Sequence, residues 1–288
     1  MTDTAQPAAR TAPIYRGMDR ATLDSAYNNS AAVADSARWL ETWRLRSMVV
    51  RAMRGVRLDV PYASGERTRL DYFPWGKRGA PLFVFIHGGY WQRNDKEIFS
   101  FVAEGPHAHG IDVAVIGYTL APAARLSDIV AEIALALTFL DKNADQFGFR
   151  RENICVGGWS AGGHLAALVS ELPTVRGALV ISGIFDLEPI ALSYINGPLG
   201  LDRDEIKTLS PLQRLRGGAA PQTLAVGGNE LSELQRQSAV YAEAARRLGL
   251  PVKLRTLPGH HHFSILDELA EGDGILTREL LGLISGRL

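Results

Sequence analysis

The sequence predicts an α/β fold in which a mostly parallel central sheet carries helices on both faces. From about residue 80 to the C-terminus, short apolar runs alternate with helical patterns, as in a series of β–α units. One run, Leu82-Phe-Val-Phe-Ile86, is continuously apolar, which is typical of a strand buried on both faces. A second run, Ile154 to Val156, leads through glycines into Ser160 and then into a helical pattern. Together these observations indicate a single large domain with a strand–turn–helix near its centre.

The composition fits such a domain and argues against several classes of partner. The chain has 288 residues, of which 46% are hydrophobic, enough for a sizeable core. Its 31 basic residues balance its 31 acidic ones, so nothing favours binding to nucleic acid or to an anionic membrane. The single cysteine, Cys155, lies in the apolar run before Ser160. We expect it to be a small buried side chain in a protein of a reducing compartment.

The N-terminus and the helical segments bear on where the protein acts. Residues 1–10 lack the apolar core of a signal peptide, and Ile133 to Leu140 is too short to cross a bilayer. We therefore expect a cytoplasmic protein that acts on a small-molecule substrate, has no membrane or nucleic-acid partner, and has a homodimer as its candidate assembly. We expect a disordered or loosely packed tail at residues 1–17 and one domain over residues 18–288.

The elements of that domain follow from the periods of the apolar residues. A helical arm is predicted over about 19–54, packed on the main body near the mouth of the active site. Two alternating segments, Val56 to Val60 and Arg67 to Phe73, predict an antiparallel pair at a sheet edge. The remaining strands are predicted at Leu82–Ile86, Ile111–Ile116, Asn153–Gly157, Gly177–Ser182, Gln222–Gly227 and Val252–Leu257. Long helices are predicted at about Asp95–His107 and Leu126–Phe147.

A segment rich in proline and glycine, about residues 187–220, interrupts this alternation. We interpret it as a small insertion over the top of the sheet. Because ligands of such sheets bind at the carboxyl ends of the strands, the insertion and the N-terminal arm are the candidate lid.

Ser160 is the candidate nucleophile because of the turn that holds it. Gly158-Trp-Ser-Ala-Gly162 joins a strand to a helix, and strain at such a turn presents the serine hydroxyl above the sheet edge. A Cβ atom on either side would clash with the strand or the helix, which explains the flanking glycines. The helix that follows favours developing negative charge at its N-terminus. The alternative is a glycine-rich loop that merely precedes a helix.

A second glycine turn, His87-Gly-Gly-Tyr-Trp91, directly follows the buried strand and is the candidate oxyanion loop. Its glycines allow backbone N–H groups to point inward, where acyl transfer needs hydrogen-bond donors. We expect the donors to be the N–H groups of Gly88, Gly89, Tyr90 and Ala161. His87 is expected to brace the loop rather than to act as a base. The candidate substrate-binding aromatic residues are Tyr90, Trp91 and Trp159, with simple packing of the loop as the alternative for the first two.

An acid is needed to orient a catalytic histidine, and two strand ends offer one. Glu230 lies on the loop after Gln222–Gly227 and is the preferred candidate. Asp186, which also follows a strand, is the rival. Glu233 falls in the first turn of the next helix, where the helix dipole accounts for it. Ser232 and Gln235 resemble the capping box of that helix.

Three adjacent histidines, at 260–262, follow the last predicted strand. One of them must take the proton from Ser160 and later deliver it to the leaving group. His262 lies just before the apolar start of the last helical region and is the preferred base, with His261 as the alternative. We expect no metal and no cofactor, because tandem histidines usually diverge and no carboxylate or cysteine lies at ligand spacing.

The order Ser160, Glu230, His262 is the serine–acid–histidine order of the α/β-hydrolases, and residues 55–288 resemble the hormone-sensitive-lipase-like branch of that fold. Within the branch, His87-Gly-Gly-Tyr-Trp91, Gly158-Trp-Ser-Ala-Gly-Gly-His164 and His262-Phe263 resemble the serine-dependent kynurenine formamidases, or arylformamidases. Arg236-Gln-Ser238 is similar too and puts Glu230 at the family's acid position. The departure is the glutamate itself, because the animal enzymes carry aspartate there.

The resemblance implies a metal-independent serine hydrolase of tryptophan catabolism that cleaves an aryl formamide such as N-formylkynurenine. The alternative enzyme is a carboxylesterase for short-chain esters, which would have the same fold and triad. The alternative from another class is a catalytically inactive hydrolase fold that serves as a binding protein.

Overall fold

Eight strands form one sheet in the computed structural model of the protein, which describes residues 12–216 and 218–287. In chain order they are β1 (Arg57–Pro61), β2 (Arg69–Phe73), β3 (Ala80–Ile86), β4 (Asp112–Ile116), β5 (Phe149–Trp159), β6 (Val175–Ile181), β7 (Gln222–Gly227) and β8 (Val252–Leu257). Their spatial order is β1-β2-β4-β3-β5-β6-β7-β8. The pairs β1–β2 and β2–β4 are antiparallel and the other neighbours are parallel, which confirms the predicted sheet with its antiparallel edge.

Helices lie on both faces of this sheet. The α-helices are α1 (Arg20–Ala26), α2 (Asn29–Ala32), α3 (Ser36–Arg51), α4 (Glu104–His107), α5 (Leu126–Lys142), α6 (Ala144–Phe147), α7 (Ala161–Val169), α8 (Glu188–Ala191), α9 (Asn196–Leu199), α10 (Arg203–Leu209), α11 (Pro211–Arg214), α12 (Ser232–Arg247), α13 (Asp267–Ala270) and α14 (Ile275–Ile284). Two 3₁₀ helices cover Lys96–Ala103 and Ser264–Leu266. None of the helices in the described ranges has both the length and the apolar character needed to cross a membrane.

The central strand β3 divides the interior into two apolar cores. Its residues Leu82, Val84 and Ile86 face a core that contains α5, α7 and α12. Phe83 and Phe85 face the opposite core, which contains α3 and α14. Because side chains alternate along a strand, a continuous apolar run supplies both faces at once.

The N-terminal arm, α1 to α3, packs on the body of the protein. Trp43 of α3 is fully buried, and its ring stacks on Phe101 at a centroid distance of 5.3 Å. Residues 1–11 of the expected tail lie outside the described residues. Tyr15, which also falls in that tail, donates a hydrogen bond to Asp186 and accepts one from Arg236. The packed chain therefore begins before Met18.

Several element boundaries differ from the sequence-based expectation. β5 begins four residues earlier than expected. Its early residues Arg150 to Glu152 are exposed and polar, so the sequence pattern gave no apolar signal for this part of the strand. The helix expected over Leu126–Phe147 is interrupted at Asn143. The expected capping box of α12 is absent, since the N-cap is Leu231 and has no side-chain cap bond. Gln235 instead donates to the backbone carbonyl of Glu230 at 2.8 Å.

Candidate active site

The turn after β5 holds Ser160 in a strained backbone conformation. Its φ of 59° and ψ of −118° lie outside the regions that non-glycine residues normally occupy. Its neighbours explain how the chain tolerates this turn. A Cβ atom at Gly158 would lie 2.2 Å from the carbonyl oxygen of Gly162, and one at Gly162 would lie 2.0 Å from that of Ile86. The two glycines thus allow β5, α7 and β3 to approach closely enough to form the turn.

Glu230 and His262 form a buried pair beside this turn. Nδ1 of His262 lies 2.7 Å from Oε2 of Glu230. The second carboxylate oxygen, Oε1, accepts hydrogen bonds from Oγ of Ser182 at 2.6 Å and from the N–H of Gly227 at 2.7 Å. A carboxylate can only accept a hydrogen bond from Nδ1. A neutral His262 therefore carries its proton on Nδ1, which leaves Nε2 free to accept a proton.

Trp159 fixes the backbone that carries His262. Its indole Nε1 donates to the carbonyl oxygen of His262 at 2.7 Å, and the two rings are 4.8 Å apart. The ring of Trp43 from the N-terminal arm meets Trp159 edge-on at 5.4 Å. The arm therefore supports the histidine loop through Trp159 and also directly, since the ring of Trp43 packs on Phe263 at 6.0 Å.

Ser160 and His262 open into a common pocket. The body of the protein contributes Gly89, Tyr90, Arg93, Asn94, Trp159 and Phe263 to its walls, and the N-terminal arm contributes Asn29, Ser30 and Leu40. The described part of the 187–220 insertion, which forms α8 to α11, supplies no wall of this pocket. Of the two candidate lid segments, only the arm covers the site.

The loop after β3 approaches Ser160 with unoccupied donors. A Cβ atom at Gly88 would lie 3.0 Å from Cβ of Ser160, so this stretch of backbone runs directly past the serine. Gly89 has a φ of +126°, and a Cβ atom there would lie 2.3 Å from the carbonyl oxygen of Arg93. Over residues 12–216 and 218–287, the protein offers no acceptor to four N–H groups near the serine, those of Gly88, Gly89, Tyr90 and Ala161. These groups are available to an oxyanion.

His87 lies beneath the loop, away from the pocket. It is fully buried, its ring stacks on Tyr118 at 4.3 Å, and its Nδ1 lies 2.9 Å from the carbonyl oxygen of Gly88. Burial lowers the pKa of His87 to about 4. The side chain is therefore neutral at pH 7 and supports the loop.

Trp91 is not in the pocket, contrary to the sequence-based expectation. Its φ of 60° turns the chain so that the ring is fully buried in the core, edge-on to His164 at 4.9 Å. Tyr90 and Trp159, the other two expected aromatic residues, do line the pocket. Trp91 therefore packs the loop against the core, which is the alternative that the sequence left open for it.

Asp186, the rival acid, and His261, the alternative base, form hydrogen bonds with groups other than Ser160 and His262. Asp186 accepts hydrogen bonds from Tyr15 and from the N–H of Glu188. His261 accepts at Nδ1 from the N–H groups of Phe263 and Ser264. The described residues contain no cluster of three or more histidine, cysteine or acidic side chains able to hold a metal.

Two residues of the site, Ser182 and Asn29, were not predicted from the sequence. Ser182, with a φ of 51°, donates to Glu230, and its position at the end of a predicted strand was the available signal. Asn29 lies in the arm, where helical periodicity gives no indication of which residues face the pocket.

Comparisons with known proteins identify the family of the chain. The BD-FAE family model matches residues 71–177. A kynurenine formamidase of Salmo salar is 32% identical over 243 residues, which cover 79% of this chain and 81% of that protein. The chain belongs to the kynurenine formamidase family. Like the other members of the kynurenine formamidase family, it is a hydrolase with the α/β-hydrolase fold.

Two further relatives show how widely the fold is shared. The carboxylic ester hydrolase LipN of Mycobacterium tuberculosis is 28% identical over 264 residues, covering 80% of this member of the kynurenine formamidase family and 70% of LipN. A solved structure from Silicibacter sp. TM1040, described provisionally as a thioesterase, superposes with a TM-score of 0.83 at 30% identity and covers 90% of this chain and 98% of that one.

Proposed function

We propose that the protein hydrolyses an aryl formamide such as N-formylkynurenine to formate and the free arylamine. The observation that supports this most strongly is the buried Glu230–His262 pair, joined at 2.7 Å and opening with the strained Ser160 into one pocket, in a member of the kynurenine formamidase family. Each part of this arrangement corresponds to a step of acyl transfer.

In the first half-reaction, Oγ of Ser160 attacks the formyl carbon while Nε2 of His262 takes the hydroxyl proton. Glu230 stabilises the imidazolium that forms, because its carboxylate already accepts from Nδ1. The carbonyl oxygen becomes an oxyanion and accepts hydrogen bonds from the free N–H groups of the loop after β3 and of Ala161. His262 then protonates the amine nitrogen, the C–N bond breaks, and the arylamine leaves.

In the second half-reaction, water replaces the amine. His262 takes a proton from the water as it attacks the formyl ester of Ser160, and the same donors hold the second oxyanion. Collapse of this intermediate breaks the ester bond, returns the proton to Ser160 and releases formate.

The walls of the pocket suit a small acyl group and an aromatic amine. The backbone of Gly88 runs directly beside Ser160, which leaves little room on the acyl side. Tyr90, Trp159 and Phe263 give the pocket an aromatic lining. Arg93 lies at the same pocket and is exposed, so its charge is available to the carboxylate of an amino-acid substrate.

A carboxylesterase acting on short-chain esters is the second candidate, favoured by the similarity to LipN. The same residues would carry out the chemistry, so only the substrate distinguishes the two functions. The homodimer and the cytoplasmic location remain predictions, which sedimentation of the purified protein and cell fractionation would test.

The test is to measure kcat/KM for N-formylkynurenine beside p-nitrophenyl formate, acetate, butyrate and octanoate. We expect N-formylkynurenine to exceed the acetate ester, and the acetate to exceed butyrate and longer esters. Each added methylene that the acyl side cannot accommodate should lower kcat/KM by a factor of roughly 10 or more. A maximum at butyrate or beyond, with no formamide hydrolysis, would establish the carboxylesterase instead.

A further inference from the structure

Two side chains hold the backbone carbonyl of Gly88, next to the serine turn. Nδ1 of the fully buried His87 lies 2.9 Å from this oxygen, and Nδ2 of Asn94 donates to it at 3.1 Å. A carbonyl oxygen has two lone pairs, and here both have a partner. The oxygen therefore faces the interior, where His87 lies, and the peptide group that contains it cannot rotate without breaking one of these bonds.

The same peptide group carries the N–H of Gly89. It is trans, and in a planar trans peptide the C=O and N–H bonds point in opposite directions. Holding the Gly88 oxygen towards the interior therefore directs the Gly89 N–H to the opposite side. In the part of the chain that the structure describes, this N–H has no acceptor. An oxyanion hole needs such a donor to be fixed before the charge develops.

The backbone of Asn94 is itself fixed in the position from which its amide donates. Its φ of 74° lies in the left-handed region, which asparagine adopts more readily than most residues. Nη2 of Arg67 donates to its carbonyl oxygen at 2.8 Å, and the same guanidinium forms an ion pair with Asp95 at 2.8 Å. Because the Gly88 oxygen can only accept, the amide atom that faces it is Nδ2 rather than Oδ1.

Gly89 leaves the space that this amide occupies. A Cβ atom at Gly89 would lie 2.9 Å from Nδ2 of Asn94, which is too close for any other residue type without a shift of the amide. Asn94 also borders the catalytic pocket. A residue there can act on the substrate directly or through the loop, and the two roles have different kinetic consequences.

We propose that Asn94 is a positioning residue of the oxyanion hole: its amide holds the Gly88 carbonyl and thereby aims the N–H of Gly89 at the oxyanion of the tetrahedral intermediates. This inference rests on the proposed function for its chemistry, acyl transfer through Ser160. It does not depend on the substrate, because formamides and esters form the same oxyanion. Asn94 acts through the backbone, so its contribution belongs to the transition state rather than to substrate binding.

The first test is Asn94→Gly, which removes the donor and tolerates a positive φ. We expect kcat to fall by roughly 10- to 100-fold, less than the loss of an entire oxyanion donor, since His87 still holds the carbonyl. The factor should be the same for p-nitrophenyl acetate and for N-formylkynurenine, with KM nearly unchanged. An unchanged kcat, or a raised KM with an unchanged kcat, would overturn the positioning role.

Gln92→Ala is the matched control. Gln92 lies in the loop between Gly89 and Asn94, and its Nε2 donates to the carbonyl oxygen of Ile195 at 2.7 Å, not to a peptide group of the oxyanion hole. We expect kcat of this variant to stay close to that of wild type. A loss as large as in Asn94→Gly would show that general loosening of the loop, rather than the bond to the Gly88 carbonyl, lowers the rate.

A transition-state analogue provides a readout that folding alone does not move. Phenylboronic acid forms a tetrahedral adduct with a catalytic serine, so its Ki should rise in Asn94→Gly by the factor by which kcat/KM falls. An unchanged Ki would contradict the proposal. Asn94→Asp, which keeps the shape but has no donor, should show the same two effects and keeps the test decisive if the glycine variant does not fold by circular dichroism.

Failure of the proposed function is a separate outcome. Wild type that hydrolyses p-nitrophenyl acetate but not N-formylkynurenine would reject the formamidase, and the ester would still measure the effect of Asn94. A wild type active on both substrates, with Asn94→Gly and Asn94→Asp as fast as wild type, would reject the positioning role alone.

Discussion

A single carboxylate with three donors around it lies at the chemical centre of the site. Glu230 accepts from His262, from Ser182 and from the N–H of Gly227, and so has little freedom to rotate. The backbone makes room for its longer side chain, since a Cβ atom at Gly227 would lie 3.1 Å from Cγ of Glu230. The glutamate therefore reaches the histidine, although it stands at the position where the animal enzymes of the family it resembles have an aspartate.

The role of this carboxylate is testable by an isosteric change. Glu230→Gln should lower kcat by roughly 10²- to 10⁴-fold, because an amide cannot stabilise an imidazolium and favours the wrong tautomer. Asp186→Asn is the matched control, since that side chain binds Tyr15 and a backbone N–H outside the pocket. Steady-state kinetics on N-formylkynurenine would measure both. A larger loss in Asp186→Asn than in Glu230→Gln would contradict our assignment of the acid.

Residue types predicted the polar parts of the site better than its aromatic parts. Ser160, Glu230 and His262 each follow a strand, and strand ends of a parallel sheet meet at one edge, so their proximity could be predicted from the pattern. The direction of the Trp91 side chain could not be predicted. It depends on positive φ angles at three consecutive residues, Gly89 to Trp91, and the residue types at 90 and 91 do not indicate such angles. The place of Asn29 in the pocket wall was missed because it depends on the tertiary contacts of a short helix.

At the scale of elements, helix α3 packs the N-terminal arm against the loop that carries His262. Trp43 packs against Trp159 and against Phe263, whose ring is 6.0 Å away, and its Nε1 donates to Asp267 at 3.1 Å. The opposite face of the same helix exposes apolar side chains such as Leu45, which is 52% exposed. The helix thus offers a buried and an exposed position two residues apart.

These two positions predict different responses to truncation. Trp43→Ala should lower the free energy of unfolding by about 3–5 kcal/mol, because it leaves a cavity among aromatic rings. Leu45→Ala should change it by less than about 0.5 kcal/mol. Urea denaturation followed by circular dichroism would compare them. Similar losses in the two variants would show that α3 does not pack as described.

The elements that could be predicted are those with a strong apolar period. The parallel strands of the core were recovered because they are buried on both faces, whereas the start of β5 was missed because it is exposed. The four short helices of the insertion, α8 to α11, gave no helical pattern, since each spans only one or two turns. Their position away from the pocket follows from tertiary packing, which a local pattern does not contain.

At the scale of the whole molecule, two fully buried histidines link stability to pH. Burial lowers the pKa of both His87 and His164 to about 4, from an ordinary value of 6.5. Between these values the unfolded chain binds protons that the folded chain does not. Stability is therefore fully present above about pH 6.5 and is lost as pH falls towards 4.

The size of this effect follows from the shift. At about 1.4 kcal/mol per pH unit, each histidine should lower the free energy of unfolding by about 3 kcal/mol between pH 6.5 and pH 4. His164→Gln should be less stable than wild type at pH 7, since Nε2 of His164 bonds to the carbonyl of Leu209, but its stability should fall less steeply with acid. Urea denaturation at pH 7, 6 and 5 would measure the slopes. An equal slope in the variant would show that His164 is not the linked group.

The central claim, that Ser160 carries a formamidase reaction in this pocket, is tested most directly by one comparison. The measurement is the rate of formate release from N-formylkynurenine by wild type and by Ser160→Ala, with circular dichroism to show that both are folded. Removing one hydroxyl should leave the fold intact and lower kcat by roughly 10⁴-fold or more. Wild type that releases no formate, or a variant that retains even a tenth of the wild-type rate, would show that Ser160 does not carry a formamidase reaction.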